Sequence, residues 1–404
     1  MPPSSKETSE RRSWAVAFAG FGAFLGLYLT QPMLPTLQVL YHASKAAVSM
    51  TVTAATIGVA VAAPLIGSLA DRLGRKRVIV YSCALMAVAT LAAATATGLS
   101  ALVFWRFLQG LLTPGIFATT VAYVQEEWAE GGVGRTMAMY VTGTVVGGFT
   151  GRMTAGLIVS HWDWRWAFVA AAAMIAAVTA ALQAWLPKES RFVAEMSGES
   201  LVQGIGAHLR NPQLLATFAI GSGMLFTLVG TFTYVTFHLS GAPFRLGPLA
   251  LGYLFCTYLV GAVVTPPCGR IVDRYGQRTA ASLAIGTGVV GILLTLIPNL
   301  WTVVAGLALC CSGVFVAQAA SSSYIGVAAN GRKALAVGMY VTCYYLGGSV
   351  GAELPGFLWR FGGWPACVAM IACVQLAAMG IALTFWPSAT AQAAREKFVL
   401  VGHE

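Results

Sequence analysis

The chain has 404 residues; 57% are hydrophobic, 9% are charged, and the formal net charge is +10, with a mean hydropathy of +0.75. Globular proteins carry about 25% charged residues, so a surface this poor in charge cannot face water, which excludes a soluble enzyme, a disordered chain and a nucleic-acid-binding domain. The remaining class is a helical protein that crosses a membrane repeatedly, its excess of Lys and Arg marking the cytoplasmic face.

A membrane helix needs ~20 mostly apolar residues. Twelve such runs occur: 13–40, 46–68, 77–97, 101–124, 136–160, 164–186, 213–238, 248–268, 279–298, 301–326, 334–360 and 364–386. The polar start leads into an apolar run too long for the core of a cleavable signal peptide. Span 1 carries Tyr28 and the run Gln31-Pro32-Met33-Leu34-Pro35. After span 2 comes a basic loop, Gly67-Ser68-Leu69-Ala70-Asp71-Arg72-Leu73-Gly74-Arg75-Lys76-Arg77. Its glycine lets helices approach closely, its aspartate can accept hydrogen bonds from a neighbouring helix N-terminus, and its cations favour the anionic inner leaflet.

Span 4 contains Arg106-Phe107-Leu108-Gln109-Gly110. A charge inside a membrane helix is costly and points to function, but Arg106 is near the predicted outer end and could instead snorkel to the interface. Span 5 reads Gly143-Thr144-Val145-Val146-Gly147-Gly148-Phe149-Thr150-Gly151-Arg152. Its glycines form a close-packing face. Arg152 is not explained by packing and sits roughly 12 Å from the outer end at 1.5 Å per residue.

The stretch 187–212 is the one interior segment that reads as soluble. The expected organisation is therefore a first bundle over 1–186, a cytoplasmic loop over 187–212, a second bundle over 213–386 and a cytoplasmic tail over 387–404. Spans 7 and 10 carry Tyr234 and Gln318. Span 11 carries Glu353, the only acidic residue inside any predicted span. Two readings of it stay open: a proton site, or a carboxylate paired with a basic or hydroxyl group that merely fixes its helix.

The halves repeat. Gly269-Arg270-Ile271-Val272-Asp273-Arg274-Tyr275-Gly276 after span 8 echoes the loop after span 2, and Met339-Tyr340-Val341-Thr342 in span 11 echoes Met139-Tyr140-Val141-Thr142 in span 5. Gly347, Gly348, Gly351 and Gly356 then match Gly147, Gly148, Gly151 and Gly156. Such parallel repeats build transporters whose substrate site lies near the bilayer midplane. With the N-terminus inside, 18 of the 24 Lys and Arg lie on the inner side, 4 on the outer side and 2 within spans, which places both termini in the cytoplasm.

The loop G-x-L-x-D-R-x-G-R-K-R and its echo resemble the signature loop of the major facilitator superfamily, a resemblance that covers all twelve spans. It implies two six-helix bundles that rock about a central site. It also implies a gating loop made of Gly67, Asp71, Arg72, Gly74 and Arg75, with Asp273, Arg274 and Gly276 as its counterpart. Arg106-Phe107-Leu108-Gln109-Gly110 is similar to the family's R-x-x-Q-G motif, whose arginine is implicated in proton coupling. The glycines of span 5 resemble the exporter motif G-x-x-x-G-P-x-x-G-G, with Gly148 in place of the proline and Arg152 in place of the last glycine. The proton-coupling candidates are Glu353, Arg106 and Arg152. The cavity candidates are Tyr28, Gln31, Gln109, Arg152, Tyr234 and Gln318.

The resulting expectation is a multi-pass protein of the cell inner membrane, working as a monomer, that exports small drug-like organic compounds against protons. The alternative is uptake or proton symport of a small organic anion, with an arginine as counter-charge. No enzyme is expected. Gly347-Gly348-Ser349-Val350-Gly351 fits G-x-S-x-G, but lies mid-helix instead of on a strand–turn–helix elbow. No H-E-x-x-H, Walker loop or C-x-x-C occurs, so neither a metal, a cofactor nor nucleotide hydrolysis is expected to drive transport. The eight cysteines read as small buried hydrophobes.

Overall fold

Long apolar runs form helices in a membrane because each backbone N–H and C=O must be satisfied within its own segment. The computed structural model describes residues 5–128, 132–187, 189, 201–329 and 333–387, with side chains described for these except 5–10, 68, 201–203, 262, 265–273 and 333–334. Among the described residues the structure is helical and contains no strand. In order, the helices are α1 (Ser5–Leu25), a 3-10 turn (Gln31–Met33), α2 (Leu34–Leu40), α3 (Lys45–Leu73), α4 (Arg75–Ala94), α5 (Leu99–Glu127), α6 (Val133–His161), α7 (Arg165–Trp185), α8 (Leu201–Leu209), α9 (Pro212–Ser240), α10 (Pro248–Tyr253), α11 (Cys256–Leu294), α12 (Leu300–Ala328) and α13 (Lys333–Phe385). Eight segments among the described residues are long and apolar enough to cross a membrane. Large apolar side chains point outward from them, Val88 on α4 and Phe361 on α13 being 64% and 82% exposed. Such surfaces suit lipid, not water.

The chain divides into two units, Met1–Gly198 with Thr236–Cys256, and Glu199–Val235 with Thr257–Glu404. The division therefore falls inside the expected central loop, while the end of α9 and all of α10 belong with the first unit. The local cause is close packing on α6: a Cβ on Gly156 would sit 2.7 Å from the Pro248 carbonyl oxygen and 3.0 Å from Gly252 Cα.

Helix boundaries follow local chemistry. Ser44 Oγ accepts the Ala47 N–H (3.1 Å) at the start of α3, and Asn299 Oδ1 accepts those of Trp301 (3.0 Å) and Thr302 (3.2 Å) at the start of α12, as N-cap side chains do. Gly74 ends α3 with φ +89° and Gly276 kinks α11 with φ +79°, a left-handed conformation that favours glycine. The two repeated basic loops thus turn on the same backbone feature. Expected spans 8 and 9 run through that kink as α11, and spans 11 and 12 run through Gly362–Gly363 as α13.

The first expected span is interrupted. α1 stops at Leu25 and helix resumes at Gln31. Pro32 and Pro35 supply no N–H, and the intervening backbone bonds to itself at short range, Leu29 N–H to the Gly26 carbonyl (3.2 Å) and Gln31 N–H to that of Tyr28 (3.1 Å).

Candidate functional site

The interruption exposes carbonyls that a continuous helix would satisfy, and Arg106 fills it from α5. Its Nη1 donates to the Gly26 carbonyl (2.7 Å) and to Gln109 Oε1, its Nη2 to the Leu27 carbonyl, and its Nε to the Thr51 carbonyl on α3 (3.0 Å). Arg106 is 0% exposed, so it does not snorkel; it joins α1, α3 and α5. Gln109 is spent on the same network, its Nε2 reaching the Ala89 carbonyl (3.4 Å).

Arg152, on α6, is 3% exposed. Its Nε donates to Gln31 Oε1 (2.9 Å) and its Nη1 to the Gly148 carbonyl one turn back (2.8 Å). The rings of Tyr28 and Phe255 each lie 4.8 Å from the guanidinium carbon, close enough for cation–π attraction. The structure thus brings together Tyr28, Gln31 and Arg152, three of the cavity candidates. Phe255 was missed: nothing in its apolar setting marks it, because its place depends on Thr236–Cys256 joining the first unit.

The second unit holds the remaining candidates. The Tyr234 hydroxyl, on α9, donates to the backbone carbonyls of Ala352 (2.8 Å) and Glu353 (3.2 Å) on α13, so its polar end is engaged with backbone. Glu353 and Gln318 are each half-buried, on α13 and α12. Ser349, from the apparent elbow motif, bonds the Tyr345 carbonyl one turn back (2.8 Å) inside α13, the usual resting place of a helical serine.

At the first basic loop, Arg75 pairs with Asp71 (3.4 Å) and with Glu126 at the end of α5. The Lys76 N–H donates to Glu189 Oε1 (2.8 Å) and Lys76 Nζ to the Gln183 carbonyl (3.1 Å). Arg72 and Gly67 are exposed. Glu126 and Glu189 were not singled out from sequence, although both are acids flanking predicted spans, where a basic loop would seek partners. In the second loop the Arg274 guanidinium lies 5.4 Å from the Tyr275 ring. The side chain of Asp273 is outside the described residues.

The sequence matches the Major Facilitator Superfamily over residues 16–262 and 246–399. It is 31% identical over 372 residues to the inner membrane transport protein YnfM of Escherichia coli, covering 91% of this chain and 89% of that one. It is 30% identical to the uncharacterized MFS-type transporter YybF of Bacillus subtilis, covering 91% of each. The fold is similar to that of the nucleoside transporter NupG (TM-score 0.73, 16% identity, 94% of this chain and 99% of that one). It is also similar to the human organic anion transporter MFSD10 (TM-score 0.69, 18% identity, 95% and 100%).

Proposed function

We propose that this chain, which belongs to the Major Facilitator Superfamily and is not an enzyme, is a proton-coupled secondary active transporter that exports small organic compounds by alternating access. The observation that carries the reading is Glu353, the one acid inside the predicted spans, half-buried on α13. A carboxylate within a membrane helix is expensive and is kept where ions or protons are handled. The proposal includes twelve spans in two six-helix bundles, 1–186 and 213–386, both termini in the cytoplasm, and a monomer in the inner membrane. Gly67, Asp71, Arg72, Gly74 and Arg75, with Asp273, Arg274 and Gly276, form its gating loops. Glu353 carries the proton, and Tyr234 positions the backbone on which Glu353 stands.

The buried Arg152 favours a second reading, proton-driven uptake of a small organic anion. The test is purified protein in proteoliposomes with an internal pH dye, a panel of lipophilic cations and organic anions, and wild type beside Glu353→Gln. Substrate-evoked proton flux that disappears in the variant is the expected result, its sign distinguishing antiport from symport. Unchanged flux in the variant removes Glu353 from the proton path. Solute counterflow without any proton flux overturns coupling and leaves a facilitator.

A further inference from the structure

The two buried arginines of the first unit are held in different ways. Arg106 donates to three backbone carbonyls, those of Gly26, Leu27 and Thr51, and to Gln109 in its own helix. Two of those acceptors, the Gly26 and Leu27 carbonyls, belong to the interruption of the first span and a third, Thr51, to α3, so a ligand could take this guanidinium only by dismantling that junction. The bonds of Arg152 include one to the Gly148 carbonyl in its own helix and one to an amide oxygen from another element, Gln31 Oε1 at 2.9 Å. An amide oxygen offers a guanidinium the same kind of sp² acceptor as one oxygen of a carboxylate, without the charge. A carboxylate in that place adds the opposite full charge and can engage two guanidinium N–H groups, so it makes the stronger bond.

We propose that Arg152 is the recognition point for an organic oxyanion, and that Gln31 Oε1 holds the place which one oxygen of the substrate's carboxylate or phosphonate takes on binding. The rings of Tyr28 and Phe255 lie 4.8 Å from the guanidinium carbon. They keep water from the charge, which strengthens an ionic bond made there. Organic carboxylates and phosphonates, whose oxygens match the guanidinium fork, are the best-matched class. A lipophilic cation meets a fixed positive charge at the same point and is disfavoured. The assignment rests on the transporter reading above, but it is independent of direction.

The test is isothermal titration calorimetry on the purified full-length protein with benzoate, phenylphosphonate and tetraphenylphosphonium. The two anions are expected to bind and the cation to bind more weakly. Arg152→Gln weakens anion binding at least about tenfold, the range of one charge-assisted hydrogen bond. Arg152→Lys falls between, keeping the charge but losing the fork. Because Arg152→Gln could also disturb folding, Gln31 provides the decisive pair. Gln31→Glu sets a carboxylate against the guanidinium, so it is expected to weaken anion binding about tenfold or more while leaving the thermal midpoint at or above that of wild type. Gln31→Ala removes the acceptor that must be displaced and is expected to tighten anion binding. A purely structural Gln31–Arg152 bond predicts the reverse order. The proposal is overturned if neither anion binds wild type, if Gln31→Glu binds them as tightly as wild type, or if the cation binds best. In vesicles, proton flux evoked only by cations and persisting in Arg152→Gln removes this assignment and leaves coupled transport standing. Anion binding that follows the predicted order, without proton flux, does the opposite.

Discussion

The packing of α1 on α6 and of α9 on α13 follows one plan and departs from it at one place. In the first unit, a Cβ on Gly147 or Gly151 would overlap the carbonyls of Phe21 and Leu25; in the second, a Cβ on Gly347 or Gly351 would overlap those of Ser222 and Phe226. Small residues let two backbones touch where there is no hydrophobic drive to hold helices together in lipid. Beyond this contact the two regions diverge. α1 stops at Leu25, whereas α9 runs unbroken from Pro212 to Ser240. Counted from the start of the 29-residue helices α5 and α12, Arg106 falls opposite Leu307, which is buried and apolar. The interruption and the arginine therefore occur together, and their absence from the other half shows that this packing does not require them. They are an addition to the first unit, and they bring Tyr28 and Gln31 to Arg152.

The shared part of the plan breaks most severely at the glycines. Gly151→Leu and Gly351→Leu place a branched side chain on a backbone carbonyl, where neither partner has a rotamer to give. Each is expected to cost roughly 3 kcal/mol or more and to abolish recovery of folded protein, read by size-exclusion chromatography in detergent. If one variant folds and the other does not, the two interfaces are not equivalent.

The divergent part is tested by Arg106→Met. It leaves the Leu27 carbonyl without the donor described for it, and removes the additional bond to the Thr51 carbonyl inside α3 and the bond to Gln109. An unsatisfied buried group costs about 1–3 kcal/mol, so a loss of roughly 3 kcal/mol in the thermal midpoint analysis is expected, with partial recovery in Arg106→Lys. A proton-relay role alone would spare the midpoint and alter only transport.

That interruption also marks where sequence stopped being informative. The long apolar helices, the glycine faces and the improbability of Arg152 as a packing residue are legible because they depend on local composition and periodicity. The run Gln31-Pro32-Met33-Leu34-Pro35 lay inside 13–40, read as one continuous span, and nothing local indicated that the carbonyls of Gly26 and Leu27 would be answered from α5. That is a contact between residues about 80 positions apart, which no local pattern encodes. Burial of Arg106 was ambiguous for the same reason, since distance from a span end allows both snorkelling and burial. Phe255 could not be found because its meaning depends on which unit its segment joins.

A smaller contrast lies at the basic turns. Gly74 and Gly276 share a positive φ, and in the first turn Glu189 also receives the Lys76 N–H at the start of α4. A carboxylate there acts as a helix cap and complements the helix dipole. Glu189→Ala should cost about 1 kcal/mol in the same thermal assay, and no change would mean that the glycine turn suffices.

The smallest effect separates two matched tryptophans. Trp364 Nε1 donates to Thr295 Oγ1 (3.1 Å) and more distantly to the Thr295 carbonyl (3.3 Å). In the first half the corresponding pair is Trp164 and Thr95, but Trp164 Nε1 is buried without a hydrogen-bond partner, and Thr95 Oγ1 turns back to the Ala92 carbonyl (2.8 Å) at an exposed position. Thr295→Val removes the better acceptor and leaves the carbonyl, so it should cost about 0.5–1 kcal/mol. Thr95→Val removes only a local bond at the surface, so its midpoint should stay within about 0.5 kcal/mol of wild type, as for most exposed substitutions. Equal effects would mean that the Trp364 bond adds nothing to the ring's burial, because burial is the contribution both tryptophans share.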